Sequence, residues 1–114
     1  MKLVKLINAA GAISKVAQSS DLSAGYVWDI LDFVKQAQEE TRKFDKMRAK
    51  IVEDTTKEVA GEPMINAKEY NKQLLELFDK EIELDCSVIN VEEIKKVKGL
   101  TVTEVLAIKE LLQE

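Results

Sequence analysis

From Ala24 to about Thr56 the chain runs without a proline, and the one glycine in that run, Gly25, stands near its start. Val27, Val34, Thr41, Arg48 and Thr55 recur every seven residues, and Ile30, Ala37, Phe44 and Ile51 form a companion series. This alternating three–four spacing lays one apolar stripe along a single long helix. Arg48 and two threonines interrupt the stripe. A uniform zipper would not carry them, so the pattern predicts a long helix packed against two different shorter helices. Seven basic and six acidic residues between Lys35 and Glu58 cover its other faces. Glu39–Lys43, Lys50–Asp54 and Glu53–Lys57 are spaced to pair across one turn, each worth roughly 0.2–0.5 kcal/mol.

A helix of that length needs partners, and 114 residues with a 46% hydrophobic fraction supply them within one domain spanning residues 1–114. MKLVKL at the start is either a short edge strand or the first turn of a helix. Asn8 is placed to cap a first helix from about Ala9 to Ser20, with Ala10, Ile13, Val16 and Ala17 toward the core. Ser19–Ser23 reads as a turn, returning the long helix antiparallel to the first.

Lys57–Ile65 breaks the long helix. Gly61 is free to adopt a left-handed conformation, Pro63 stops regular pairing, and Val59 and Ile65 bracket a minimal hairpin. Asn66-Ala67-Lys68-Glu69 is a capping box, with Ile65 as a staple against Tyr70. It opens a helix whose Tyr70, Leu74, Leu77 and Phe78 face the distal half of the long one, near Phe44 and Ile51. Further capping boxes, Asn90–Glu93 and Thr101–Glu104, open a short helix with Ile94 and Val97 and a terminal helix with Val105, Ile108, Leu111 and Leu112.

Between these lies EIELDCSV, Glu81–Val88. Ile82, Leu84, Cys86 and Val88 alternate with Glu81, Glu83, Asp85 and Ser87, the period of a strand with one wet face. Its natural partner is Lys2–Leu6, with Lys2 and Lys5 opposite the acids. The fold class expected is therefore α+β, mostly helical: a long central helix packed on shorter helices, with a small two-stranded sheet near its base.

Several chemistries are excluded. There is no histidine and a single cysteine, so one chain assembles no mixed Cys/His zinc site, serine triad, cysteine–histidine pair or disulfide. No run of about 18 apolar residues exists to span a membrane. The start MKLVKLINAAGAI is interrupted by Asn8, with Lys15 soon after, so it reads as a folded element of a cytoplasmic protein rather than a secretion signal. No cofactor is expected.

Four groups of residues merit a functional question. Glu81, Glu83 and Asp85 form a weak candidate cation site, but alternate strand positions stand roughly 6–7 Å apart and a solvated strand face explains them as well. Cys86 falls on the apolar side of the same stretch, where a thiol is a small hydrophobe of raised pKa. Tyr26, Trp28 and Phe33 form a possible interaction surface near the start of the long helix. Trp28 there either covers the junction with the first helix or anchors another protein. Lys35, Arg42, Lys43, Lys46 and Lys50, and separately Lys95, Lys96 and Lys98, are the candidate nucleic-acid contacts. Glu39, Glu40 and Asp45 repel the same phosphates, and VTEVLAIKELLQE lacks the polar residues of a recognition helix. Formal net charge is −4 overall.

The order MKLVKL, DLSAGYVWDILDFVKQAQEETRKFDKMRAKIVED, KEYNKQLLELFDKEIELDCSVI and GLTVTEVLAIKELL resembles a family of small bacteriophage proteins of unknown function, encoded by phages of Gram-positive bacteria. The likeness spans nearly the whole chain and is most distinctive over the long helix and LLELFDKEIELD. The loop VAGEPMI is shorter than the usual family version, and Cys86 is not a residue the resemblance explains. What the resemblance implies is a phage setting and an accessory role near virion assembly or tail genes, with no reaction. The expected function is non-enzymatic: an accessory or assembly protein of the host-cell cytoplasm or virion, binding itself or another phage or host protein. A nucleic-acid-associated regulator and a small cation-binding protein are the alternatives.

Overall fold

The computed structural model describes residues 1–112. Seven elements follow in order: α1 Leu3–Ala17, α2 Ala24–Thr55, β1 Thr56–Val59, β2 Glu62–Ile65, α3 Ala67–Phe78, α4 Val91–Ile94 and α5 Val102–Leu111. The α+β, mostly helical class is as expected, with α2 as the spine. Its 32 residues run about 48 Å. The molecule measures 57 × 26 × 23 Å, and its radius of gyration of 17.0 Å exceeds the about 13 Å of a compact chain of this length.

The companion series behaves as a single buried edge: Ile30, Ala37, Phe44 and Ile51 are all enclosed. The other series is mixed. Val34 and Thr55 are buried, Thr41 is half-buried, and Val27 and Arg48 are exposed. The helix starts where Ser23 accepts a hydrogen bond from the Tyr26 amide at 3.3 Å. Thr55 hides its hydroxyl by donating to the Ile51 carbonyl at 2.6 Å. Of the three expected ion pairs along α2, Lys50–Asp54 forms at 3.2 Å. Lys43 pairs with Glu40 rather than Glu39. Glu53–Lys57 does not form, because α2 ends at Thr55 and Lys57 lies in β1.

The base is a closed layer. Leu3, Leu6, Ala9, Ala12, Ile13 and Val16 of α1 meet Ile30, Phe33 and Val34 of α2, Ile94 and Val97 around α4, and Ile108 and Leu111 of α5. Lys15 ties α1 to α5 through Glu104 at 2.7 Å and the Gly99 carbonyl at 3.2 Å. The first helix corrects the sequence expectation at two points. It begins at Leu3, not Ala9, and Asn8 is an exposed mid-helix residue rather than a cap. The physical reason is the unbroken three–four spacing from Leu3 through Val16, which puts all the buried residues on one face.

The sheet is also elsewhere. The two strands are β1 and β2, antiparallel, with Thr56 opposite Ile65 and Val59 opposite Glu62. They lie at the far end of α2, not near its base. With residues 3–6 helical, the pairing expected between Lys2–Leu6 and Ile82–Val88 shrinks to a single bridge, Lys2–Glu81. Around it the Leu3 amide donates to the Lys80 carbonyl, and the Ile82 amide to the Met1 carbonyl, both at 2.8 Å.

The hairpin turn is Ala60-Gly61, both with positive φ, 54° and 82°. Two such residues in a two-residue loop make a type I′ turn, whose twist suits paired strands. Pro63 does not stop the pairing: it sits within β2, opposite Glu58. In an antiparallel ladder hydrogen-bonded and non-hydrogen-bonded pairs alternate. The Asn66 amide donates to the Thr55 carbonyl at 2.7 Å, which makes Glu58–Pro63 a non-hydrogen-bonded pair. The missing N–H of proline is therefore not needed between the strands.

Beyond the base, α2, the hairpin and α3 form a thin arm. Helix α3 has no fully buried residue. It holds to α2 through the stacked rings of Phe44 and Phe78, 5.6 Å apart, and through Arg48 Nε donating to the Tyr70 hydroxyl at 3.3 Å. Of the three capping boxes expected, that of α5 is complete, with Thr101 and Glu104 exchanging bonds. Asn66 and Asn90 each cap through the side chain alone. Glu69 turns its carboxylate to Gln73 instead, at 3.1 Å.

Candidate functional site

Residues 81–88 keep their alternation without becoming a strand. Ile82, Leu84, Cys86 and Val88 are half-buried against the base core, and Glu81, Glu83, Asp85 and Ser87 are exposed. The three acids are not gathered. Glu81 pairs with the Met1 amino group at 3.4 Å. Asp85 accepts the Ser87 amide at 3.0 Å, and the Ser87 hydroxyl and amide together hold its carboxyl below the ordinary range. Glu83 faces Gln36, Glu39 and Glu40 of α2 across a shallow groove. No cluster of three His, Cys, Asp or Glu side chains able to hold a metal ion occurs among the described residues. Glu83 and Asp85 share that groove with Glu39 and Glu40 as like charges, without the geometry that holds an ion.

Cys86 is half-buried, its thiol 3.6 Å from the Leu84 carbonyl. Burial pushes its pKa up, with Asp85 adding to the effect and the chain amino group opposing it. A thiol of this kind is a poor nucleophile. A small apolar pocket in the base, among Ile13, Tyr26, Phe33, Ile94 and Ile108, has a volume of about 10 Å³. That barely matches one water molecule and holds no substrate.

The basic clusters are neutralised in part within the chain. Lys43 and Lys50 pair with Glu40 and Asp54, and Lys95 and Lys96 pair with Glu92 and Glu93 at 3.3 and 3.0 Å.

The aromatic trio Tyr26, Trp28 and Phe33 separates into three environments. Phe33 is in the core, which removes it from any surface. Its neighbours Ile30, Val34 and Ala37 share its face of the helix, so burial follows from the same stripe. Tyr26 is half-buried, and its hydroxyl accepts the Asn90 amide at 3.0 Å, fastening α2 to the start of α4. Trp28 is 79% exposed. It does not cover the junction with α1, the first of the two roles the sequence offered.

Trp28 has apolar company that the sequence reading missed. Val27 and Leu31 are 37% and 41% exposed. Leu31 lies one turn on from both, at i+4 and i+3, so the three side chains adjoin on one outer face. Asp32 and Lys35 continue the Trp28 face as a polar border. The signal was available: Trp28 and Leu31 fall outside the Ile30–Ala37–Phe44 stripe, so they cannot face the same core. On α5, Val102 and Leu106 form a second exposed pair, one turn apart.

Comparison with protein-family models, curated proteins and solved structures finds no match to this chain. No helix among the described residues is long and apolar enough to cross a membrane.

Proposed function

We propose that the protein is a non-enzymatic interaction module, an accessory or assembly factor that presents the Val27–Trp28–Leu31 face at the base of α2 to another protein. The observation that carries this is the exposed Trp28. Tryptophan is among the residues most enriched at the energetic centres of interfaces. Here it stands on a rigid helix, with Leu31 and Val27 beside it and charges at the border, the layout of an apolar anchor with a polar rim. The resemblance to small bacteriophage proteins supplies the setting, with a phage or host protein as partner.

Trp28 is the only tryptophan, so its fluorescence reports on the patch itself. Affinity capture with the wild type and with Trp28→Glu, both folded and equally stable, is the test. A protein retained by the wild type and lost by the variant, whose purified form shifts Trp28 emission to the blue, is the expected result. Equal capture by both chains, or an unshifted emission with every captured protein, would remove Trp28 as the anchor.

A further inference from the structure

The arm has a second seam, distinct from the buried stripe. Arg42, Asp45, Ala49 and Val52 follow one another at alternating steps of three and four, so they share one face of α2, and Thr56 at the start of β1 continues the spacing. The four on the helix are exposed and Thr56 is half-buried. Ala49 and Val52, the latter 40% exposed, make the middle of this face small and apolar.

We infer that this seam docks a second copy of the same chain, with the two arms antiparallel about a two-fold axis passing between Ala49 and Val52. This deepens the interaction reading above by naming one partner. Charge complementarity selects both the occupant and its direction. Residues 42–50 carry Arg42, Lys43, Lys46, Arg48 and Lys50 against one acid, Asp45. Residues 53–62 carry Glu53, Asp54, Glu58 and Glu62 against one base, Lys57. An antiparallel partner lays the basic block of each arm on the acidic block of the other. A parallel partner would set Arg42 on Arg42 and Asp45 on Asp45 along the seam, a like-charge juxtaposition that disfavours it.

The particular side chains are available. Among the described residues Lys46 and Glu53 make no ion pair within the chain, nor do Arg42 and Glu58, whereas Lys43, Lys50 and Asp54 already have partners. Lys46 and Glu53 are seven apart and flank the seam on the same side. The two-fold axis then brings Lys46 of each copy to Glu53 of the other, twice per dimer. Flanking charges of this kind set orientation in paired helices. At the seam's near end, Arg42 and Asp45 border an open groove of about 320 Å³ between α1 and α2, with Ala10, Ile13 and Ala37 in its floor. The antiparallel arrangement directs the partner's hairpin, with its exposed Val59 and Met64, toward that groove.

Sedimentation equilibrium across a concentration series, at low and high salt, tests this with the wild type, Lys46→Glu, Glu53→Lys and the double variant. The wild type is expected to be a reversible dimer that weakens as salt rises. Each single reversal should raise the dissociation constant about tenfold or more, and the double variant should return it to within about threefold of the wild type. A monomer up to millimolar concentration would overturn the inference. So would a dimer indifferent to the single reversals, or one that the double variant fails to restore. Both positions are exposed, and circular dichroism checks folding. If a reversal does not fold, Val52→Asp takes its place, and a dimer that survives Val52→Asp overturns the seam. Trp28→Glu lies at the other end of α2 and leaves this dimer intact, so failure of the arm dimer and failure of the base anchor are read separately.

Discussion

The base and the arm share the helix α2 but enclose it differently. At the base three helices, α1, α4 and α5, close over the stripe, and α1 alone contributes six buried residues. Along the arm α2 has one helix and a hairpin for company, and α3 buries none of its residues completely. Apolar stabilisation scales with area removed from water. Ile30 and Ile51 are themselves both buried, so the difference lies in the neighbours: fully buried ones at the base, half-buried ones on α3. A stripe's regularity says where a helix turns its apolar side, while its stabilising value depends on how many neighbours arrive.

The largest expected effect tests the base. Leu6 is fully buried, and Leu6→Ala should cost about 2–5 kcal/mol, read as a fall in the urea midpoint of the whole chain. Phe78→Ala on the arm should cost less, about 1–2 kcal/mol, because its ring is only half-enclosed against Phe44. Hydrogen exchange distinguishes the two variants. Faster exchange in Phe78→Ala should be confined to α3 and the end of α2, whereas exchange accelerated equally at the base would abolish the contrast. At the tip, Ala60 holds a positive φ of 54° in a turn that prefers asparagine. Ala60→Asn should stabilise by about 0.5–1 kcal/mol, seen as a small rise in melting temperature.

The smallest effect is pH-linked and belongs to the base. The Lys15 ammonium, first, and the Thr101 amide hold the Glu104 carboxyl below its ordinary value of 4.5. A carboxyl lowered in the folded state stabilises at pH above its unfolded value, and that contribution fades as pH falls through the folded value. The pair lies at the surface, with Lys15 half-exposed, so solvent screens it and the loss is slight. Glu104→Gln should flatten the pH dependence of the melting temperature below pH 4.5 without changing its slope at neutral pH.

Much of this architecture was legible. The stripe from Ile30 to Ile51 and the Thr101–Glu104 box are local patterns, and local patterns survive folding. The hairpin was legible through Gly61, though Pro63 looked like an obstacle because its place in the ladder depends on register. EIELDCSV misled in an instructive way. Alternating burial reports an extended chain lying on a surface, and such a chain needs no neighbouring strand. Its supposed partner was lost to helix because Leu3 and Leu6 continue the phase of Ala9 and Ile13. The aromatic trio failed as a group because Tyr26, Trp28 and Phe33 lie in different directions around α2. Its exposed member had to be assembled anew with Val27 and Leu31.

Pro63 has a bearing on how this protein behaves at high concentration. As a non-hydrogen-bonded member of the β1–β2 ladder, its nitrogen points to the free edge of β2, where an incoming strand would look for a donor. The donor is missing in the middle of a four-residue edge, and Glu58, on the neighbouring strand, carries a charge. Open strand edges are the usual seeds of fibrillar growth. This tip, although exposed and partly apolar, is closed to strand addition along β2, so concentrated solutions should thicken through helix contacts before they form amyloid.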